Sequence, residues 1–170
     1  MSVKSGLPPI ARADARLFLL GSLPGDASLA ARRYYAHPTN QFWRLLGMAI
    51  GEDLQPLPYE ARLERLAARR IGLWDVIASA RRPGSLDQAI RLAEHNRIEH
   101  LLRDFPELRA IAFNGATAAS VGRRLIGEPP SGVTLIDLPS SSAANTSAFT
   151  DKLKAWSRLA QFCPSDQSGR

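Results

Sequence analysis

Four short apolar runs punctuate the chain, at residues 17–20, 71–77, 110–113 and 133–138. None alternates cleanly between apolar and polar positions, which predicts strands covered on both faces rather than a half-solvated sheet. Between them the apolar residues recur at helical spacing. Residues 41–50 carry Phe42, Leu45, Leu46 and Ala49, and residues 59–68 carry Leu63, Leu66 and Ala67. Residues 98–105 place Ile98, Leu101, Leu102 and Phe105 on one face. A further helix is expected over 116–126, after Asn114-Gly115, and the last over 148–162, with Phe149, Leu153, Trp156 and Leu159 as its stripe. Strands alternating with helices predict an α/β fold, three-layer α/β/α with a central, mainly parallel four-stranded sheet. Ligands of such sheets lie beyond the carboxyl ends of the strands. Ser22, Asp75, Asn114 and Pro139 fall at or just after those ends, so distant segments are expected to converge there. Residues 1–14 are polar around Pro8-Pro9 and are expected as a flexible arm, 15–163 as a single domain and 164–170 as a disordered tail.

Composition sharpens this picture only at its edges. A chain of 170 residues, 45% hydrophobic and 22% charged, is long enough for a real core. The single cysteine, Cys163, rules out an internal disulfide and argues against a Cys-ligated metal or cluster. No apolar run is long enough to cross a bilayer and none follows Lys4 as a leader would require, so a cytoplasmic protein without membrane association is expected. The net charge of +6 favours a polyanionic partner, although basic residues that are arginine apart from Lys4, Lys152 and Lys154 also fit a GC-rich coding sequence.

Four segments carry candidate chemistry. The turn Gly21-Ser22-Leu23-Pro24-Gly25 closes the first strand. It lacks both Gly-x-Gly-x-x-Gly and a Walker lysine, so no nucleotide cofactor is implied. Its glycines permit close backbone approach, and its N–H groups and Ser22 suit a base or a phosphate, or it is a plain strand-to-loop turn. Next comes Tyr34-Tyr35-Ala36-His37-Pro38-Thr39-Asn40-Gln41-Phe42-Trp43. Tyr35 is suited to stack on an extruded base, whereas Phe42 and Trp43 read as core. Asn40 stands where a helix N-cap belongs, so capping competes with any catalytic reading, and His37 has no metal partner at ligand spacing. The third is the strand-end Asp75, a carboxylate in an apolar run that must find partners, either a base edge or Arg81 or Arg82. The fourth, residues 138–147, is rich in hydroxyl and turn-forming residues that suit phosphate contacts, and equally an ordinary polar loop. Ser85-Leu86-Asp87 reads as a turn capping a helix and little more. No Ser-His-acid order or nucleophile elbow is present.

Together these segments resemble the uracil-DNA glycosylase superfamily, and within it most closely the hypoxanthine (deoxyinosine) DNA glycosylase branch. The turn at 21–25, Ser28-Leu29 and the run 34–43 match that branch's first motif, and 138–145 resembles its second. The resemblance implies a monofunctional glycosylase that hydrolyses the N-glycosidic bond of a deaminated base, most closely hypoxanthine, and leaves an abasic site without cofactor or metal. It implies Asn40 as the catalytic, water-positioning group through its side-chain carbonyl. It implies Ser22, Leu23, Tyr35, Asp75 and Asn114 as base contacts, and Gly25, His37, Ser140, Ser141, Ser142 and Asn145 as DNA contacts. The implied partner is double- or single-stranded DNA containing a deaminated base, bound by a monomer. Two departures stand out: residues 138–145 hold no histidine, and Ala143 replaces the branch's usual proline. The alternatives are a mismatch-specific uracil-DNA glycosylase and a non-catalytic DNA-binding member of the fold.

Overall fold

The computed structural model describes residues 2–164. Its elements in chain order are β1 (Val3–Ser5), β2 (Leu17–Gly21), α1 (Asp26–Ala31), α2 (Phe42–Ile50), α3 (Tyr59–Ala68), β3 (Ile71–Asp75), β4 (Ile77–Arg81), β5 (Arg91–His95), α4 (Leu101–Asp104), β6 (Ala110–Asn114), α5 (Ala116–Ile126), β7 (Thr134–Leu138) and α6 (Phe149–Trp156). The central sheet has the order β3-β2-β6-β7, and every pairing in it is parallel.

Alternation along β2 divides the core. Leu17 and Leu19 point into one layer with Phe42, Leu45 and Leu46 of α2, Leu66 of α3 and Trp156 of α6. Phe18 and Leu20 point into the opposite layer with Leu101 of α4 and Ala118 and Ala119 of α5. Because both faces are covered, β2 and β6 are buried at every position and show no period of two. The three-layer α/β/α expectation holds.

Four local expectations are corrected. The expected flexible arm over 1–14 is tied down from residue 3 onward: β1 pairs antiparallel with β4, Ile10 bridges Leu73, and the Tyr34 hydroxyl donates to the Pro8 carbonyl at 2.7 Å. The run 71–77 breaks at Val76, whose N–H donates to the Gly21 carbonyl, and the chain turns into a second, antiparallel sheet of order β1-β4-β5. β5 escaped sequence reading because it is an exposed polar edge without an apolar run. Over 98–105 a single helix gives way to a 3₁₀ turn and the four residues of α4, ending at Phe105, which precedes Pro106 and so disfavours helix. The last helix is α-helical only to Trp156 and continues as 3₁₀ to Phe162. Of the expected disordered tail, 164–170, all but Pro164 lies outside the described residues.

Candidate active site

A cleft of about 600 Å³ opens beyond the carboxyl ends of β2, β3 and β6, walled by the 21–25 turn, residues 34–40, the segment 85–88 after β4 and the loop 140–145. All the residues expected in the site line it, namely Ser22, Leu23, Gly25, Tyr35, His37, Asn40, Asp75, Asn114, Ser140, Ser141, Ser142 and Asn145. Among the described residues no lysine or arginine lines it, and its acidic lining residues are Asp26, Asp75 and Asp87. Such a cavity suits a neutral polar ring better than a phosphate.

The 21–25 turn presents donors because all its acceptors face inward. The Gly21 and Ser22 carbonyls accept from the N–H groups of Val76 and Ile77, and the Gly25 carbonyl accepts from Leu29. Arg82, a buried guanidinium at the end of β4, donates to the Leu23 and Pro24 carbonyls at 3.2 and 2.7 Å. The N–H groups of Ser22, Leu23 and Gly25 have no protein acceptor among the described residues. The Ser22 hydroxyl is committed to Asp87, donating to its Oδ1 at 2.6 Å. Asp87, dismissed in the sequence as part of a cap, therefore belongs to the site, and no local signal marked it.

The cleft floor is built around Gly21, which pairs with Asp75 across β2 and β3. A Cβ there would lie 2.6 Å from Asp75 Oδ1 and 3.0 Å from the Tyr35 hydroxyl, so only glycine lets both groups approach. Asp75 is 4% exposed, and no arginine pairs with it directly, in contrast to the expected Arg81 or Arg82 partner. Its Oδ2 and the Tyr35 hydroxyl are both buried without a hydrogen-bond partner. Burial first, and the neighbouring Asp87 carboxylate second, raise the Asp75 carboxyl to about 7, with Arg82 opposing. Burial, followed by Asp75, holds the Tyr35 phenol above its ordinary range. Tyr35 has φ of 55°, a left-handed backbone uncommon for a large side chain, and its ring stacks on Phe42 at 3.8 Å and 10°. Phe42 thus covers one face of the ring, and Tyr35 remains part of the cleft wall.

Two expected roles change at the opposite wall. The Asn40 Oδ1 accepts the Phe42 N–H at 2.9 Å and the Ser141 hydroxyl at 2.8 Å, so the carbonyl expected to hold a water is filled by protein donors. The amide Nδ2 has no protein acceptor among the described residues and is the part of Asn40 left for a ligand. Asn114 closes on Ser141 from both ends: its Oδ1 accepts the Ser141 N–H and its Nδ2 donates to the Ser141 hydroxyl, each at 2.9 Å. Asn114 therefore ties a strand end to a loop through both ends of its amide. The chain Asn114–Ser141–Asn40 links three segments that the sequence holds far apart.

The loop 140–147 is folded by its own side chains. Ser140 and Ser142 accept the N–H groups of Ser142 and Ala144, and Asn145 accepts that of Ser147, leaving both hydroxyl protons able to donate outward. Beneath it lies Lys152 of α6, 1% exposed, donating to Gln41 Oε1 and to the Ser142 and Asn145 carbonyls. Lys152 was not legible as a site residue, since a single basic residue in a helix reads as surface, and Arg82 was expected as a partner for Asp75 rather than for the 21–25 turn. His37 is exposed at the rim, its Nδ1 against the Thr39 N–H and hydroxyl. Among the described residues no group of three or more His, Cys, Asp or Glu could hold a metal ion, and no helix is long and apolar enough to cross a membrane.

Comparison with known proteins bears on this geometry. A family model described as the uracil DNA glycosylase superfamily matches residues 8–160. A hypoxanthine DNA glycosylase of Methanosarcina barkeri (strain Fusaro) is 40% identical over 153 residues, covering 90% of this chain and 95% of that protein. One of Methanosarcina acetivorans is 41% identical over 154 residues, covering 91% and 96%. The solution NMR structure of a candidate uracil DNA glycosylase from M. acetivorans superposes with a TM-score of 0.83 at 39% identity, covering 94% of this chain and 98% of that one.

Proposed function

The chain belongs to the uracil DNA glycosylase superfamily, and from that premise we propose that it hydrolyses the N-glycosidic bond of a deaminated base in DNA, hypoxanthine foremost, leaving an abasic site. The observation that carries a base in the cleft is its floor, and the choice of hypoxanthine rests on the relatives. A buried carboxyl and a phenol, both without partners, lie beside the N–H groups of the 21–25 turn, in a cavity lined by no cation. Partnerless buried polar groups are costly unless a ligand completes them, and the lactam edge of hypoxanthine brings both donors and acceptors.

Extruding the nucleotide costs a few kcal/mol and is easiest at a mispaired base. The everted purine would lie against Tyr35 in the cleft wall, with Asp75 and the Ser22 and Leu23 N–H groups at its polar edge. Cleavage develops positive charge on the sugar and negative charge on the base, so the attacking water needs placing more than deprotonating. Asn40 would place it by donating from Nδ2 to the water oxygen, which keeps a lone pair for the anomeric carbon. The hydroxyls of Ser140 and Ser142, with Gly25, His37 and Asn145, would meet the phosphates. We further take the protein to act as a monomer in the cytoplasm, on either double- or single-stranded DNA.

The test is incubation of the purified chain with labelled duplexes containing deoxyinosine, uracil opposite guanine, or no lesion, followed by alkali and a denaturing gel. Alkali-labile strands from the deoxyinosine duplex are expected. Cleavage confined to uracil would replace this reading by the mismatch-uracil one, and stable binding to abasic-analogue DNA without any release would make the protein a non-catalytic binder.

A further inference from the structure

Base recognition alone does not account for the state of Asp75. Its carboxyl ends β3, faces the backbone of Gly21 on β2, and is approached by the Tyr35 hydroxyl and the Asp87 carboxylate. Among the described residues the cation acting on it is Arg82, whose guanidinium is engaged by the carbonyls of Leu23, Pro24 and Gly84 and lies 3.7 Å from Asp26. A carboxylate in that setting has a like charge nearby, no direct counter-ion and a buried oxygen without a partner, on a residue that lines the cavity. Each of these features favours the protonated acid, whose O–H has no acceptor within hydrogen-bond distance among the described residues and can be given to a base in the cleft.

We propose that Asp75 is the general acid of the reaction, entering it as a neutral carboxylic acid and passing its proton to a ring nitrogen of the departing purine. The inference rests on the glycosylase reading above. As the bond from the anomeric carbon to N9 breaks, its electron pair goes to the base, and the Asp75 proton neutralises the charge so formed. Water adds its oxygen to the anomeric carbon and releases a proton to solvent, from which Asp75 is reprotonated. The sum is nucleotide plus water giving abasic site plus neutral base. A purine offers N3 and N7 as acceptors besides its glycosidic nitrogen, whereas uracil offers only exocyclic oxygens, so the acid selects for deaminated purines.

Single-turnover release from deoxyinosine DNA, measured with the full chain between pH 5.5 and 9, tests this. The wild-type rate is expected to be level in acid and to fall about tenfold per unit of pH above about 7, where Asp75 gives up its proton. Asp75→Asn, similar in shape but unable to supply a proton, is expected to lose on the order of 100-fold at pH 6. Its profile should be level and meet the wild type in alkali, with unchanged affinity for abasic-analogue DNA by fluorescence anisotropy. Asp75→Glu should restore the falling limb. A wild-type rate that stays level to pH 9 overturns the acid role even if no variant folds, as does a falling limb that survives in Asp75→Asn. No release of hypoxanthine at any pH would instead remove the glycosylase reading itself.

Discussion

Gly21 and Asp75 show how little space separates a working floor from a blocked one. Gly21→Ala would press a methyl group onto the Asp75 carboxyl and the Tyr35 hydroxyl. A displacement of even an ångström from productive geometry reduces turnover by about 100-fold, so deoxyinosine cleavage should fall by roughly that factor in a single-turnover assay. Asp75 also leaves a signature in stability. Its folded carboxyl is raised from the ordinary 3.8 to about 7, so the folded state holds the proton more tightly. That contribution is fully present below about pH 4 and is lost as pH rises through 7, to an extent of about 4 kcal/mol at most. Urea unfolding at pH 5 and pH 8 should find the wild type weaker at pH 8, and Asp75→Asn nearly insensitive across that interval. At Asn40 two effects superimpose. Asn40→Ala removes the acceptor for the Phe42 N–H and the Ser141 hydroxyl, costing about 1–2 kcal/mol of stability, and also removes most turnover. A thermal melt separates the first effect from the second.

Elements, rather than single residues, present the two loops that wall the cleft, and each rests on a buried cation. Arg82 at the end of β4 holds the carbonyls of the 21–25 turn, while Lys152 of α6 holds those of the 140–147 loop. Both turn acceptors inward and leave donors for the ligand side. Lys152→Met would strand Gln41 Oε1 and two carbonyls, destabilising the protein by about 2–4 kcal/mol. A loosened loop should raise KM for DNA more than it lowers kcat, which steady-state kinetics on a short duplex would measure. The helix layers follow simpler rules. α5 packs on β6 where Gly122 meets the Phe113 ring, and β3 receives the Phe18 ring at Gly72. Over 116–126 and 59–68 the helices were legible to the residue, because one face must be buried and the apolar stripe records it. β1 and β5 were not, because a strand paired at an exposed edge needs backbone partners and no apolar pattern.

Across the whole molecule, charge and cleft divide the work of binding. The net charge of +6 resides outside a cavity that no arginine or lysine lines. DNA affinity should therefore weaken steeply with sodium chloride, each phosphate contact contributing about −0.9 to the slope of log K against log salt. The ratio of hypoxanthine to adenine cleavage should not change over the same range, because on the proposed reading that choice falls to buried groups on the cleft floor, which salt screens little. Filter binding and competition cleavage at two salt concentrations would check both.

The sequence alone determined the four central strands and the helices packed between them, the convergence of strand ends on one cleft and the superfamily resemblance, since burial writes its period into neighbouring residues and the first motif is contiguous. Only the tertiary structure decided what each polar group does there. Asn40 meets Ser141 across 101 positions, Ser22 meets Asp87 across 65, and Asp75 meets no side-chain donor at all. A hydrogen-bond partner is chosen by proximity after folding, and local pattern carries no record of a residue so distant along the chain.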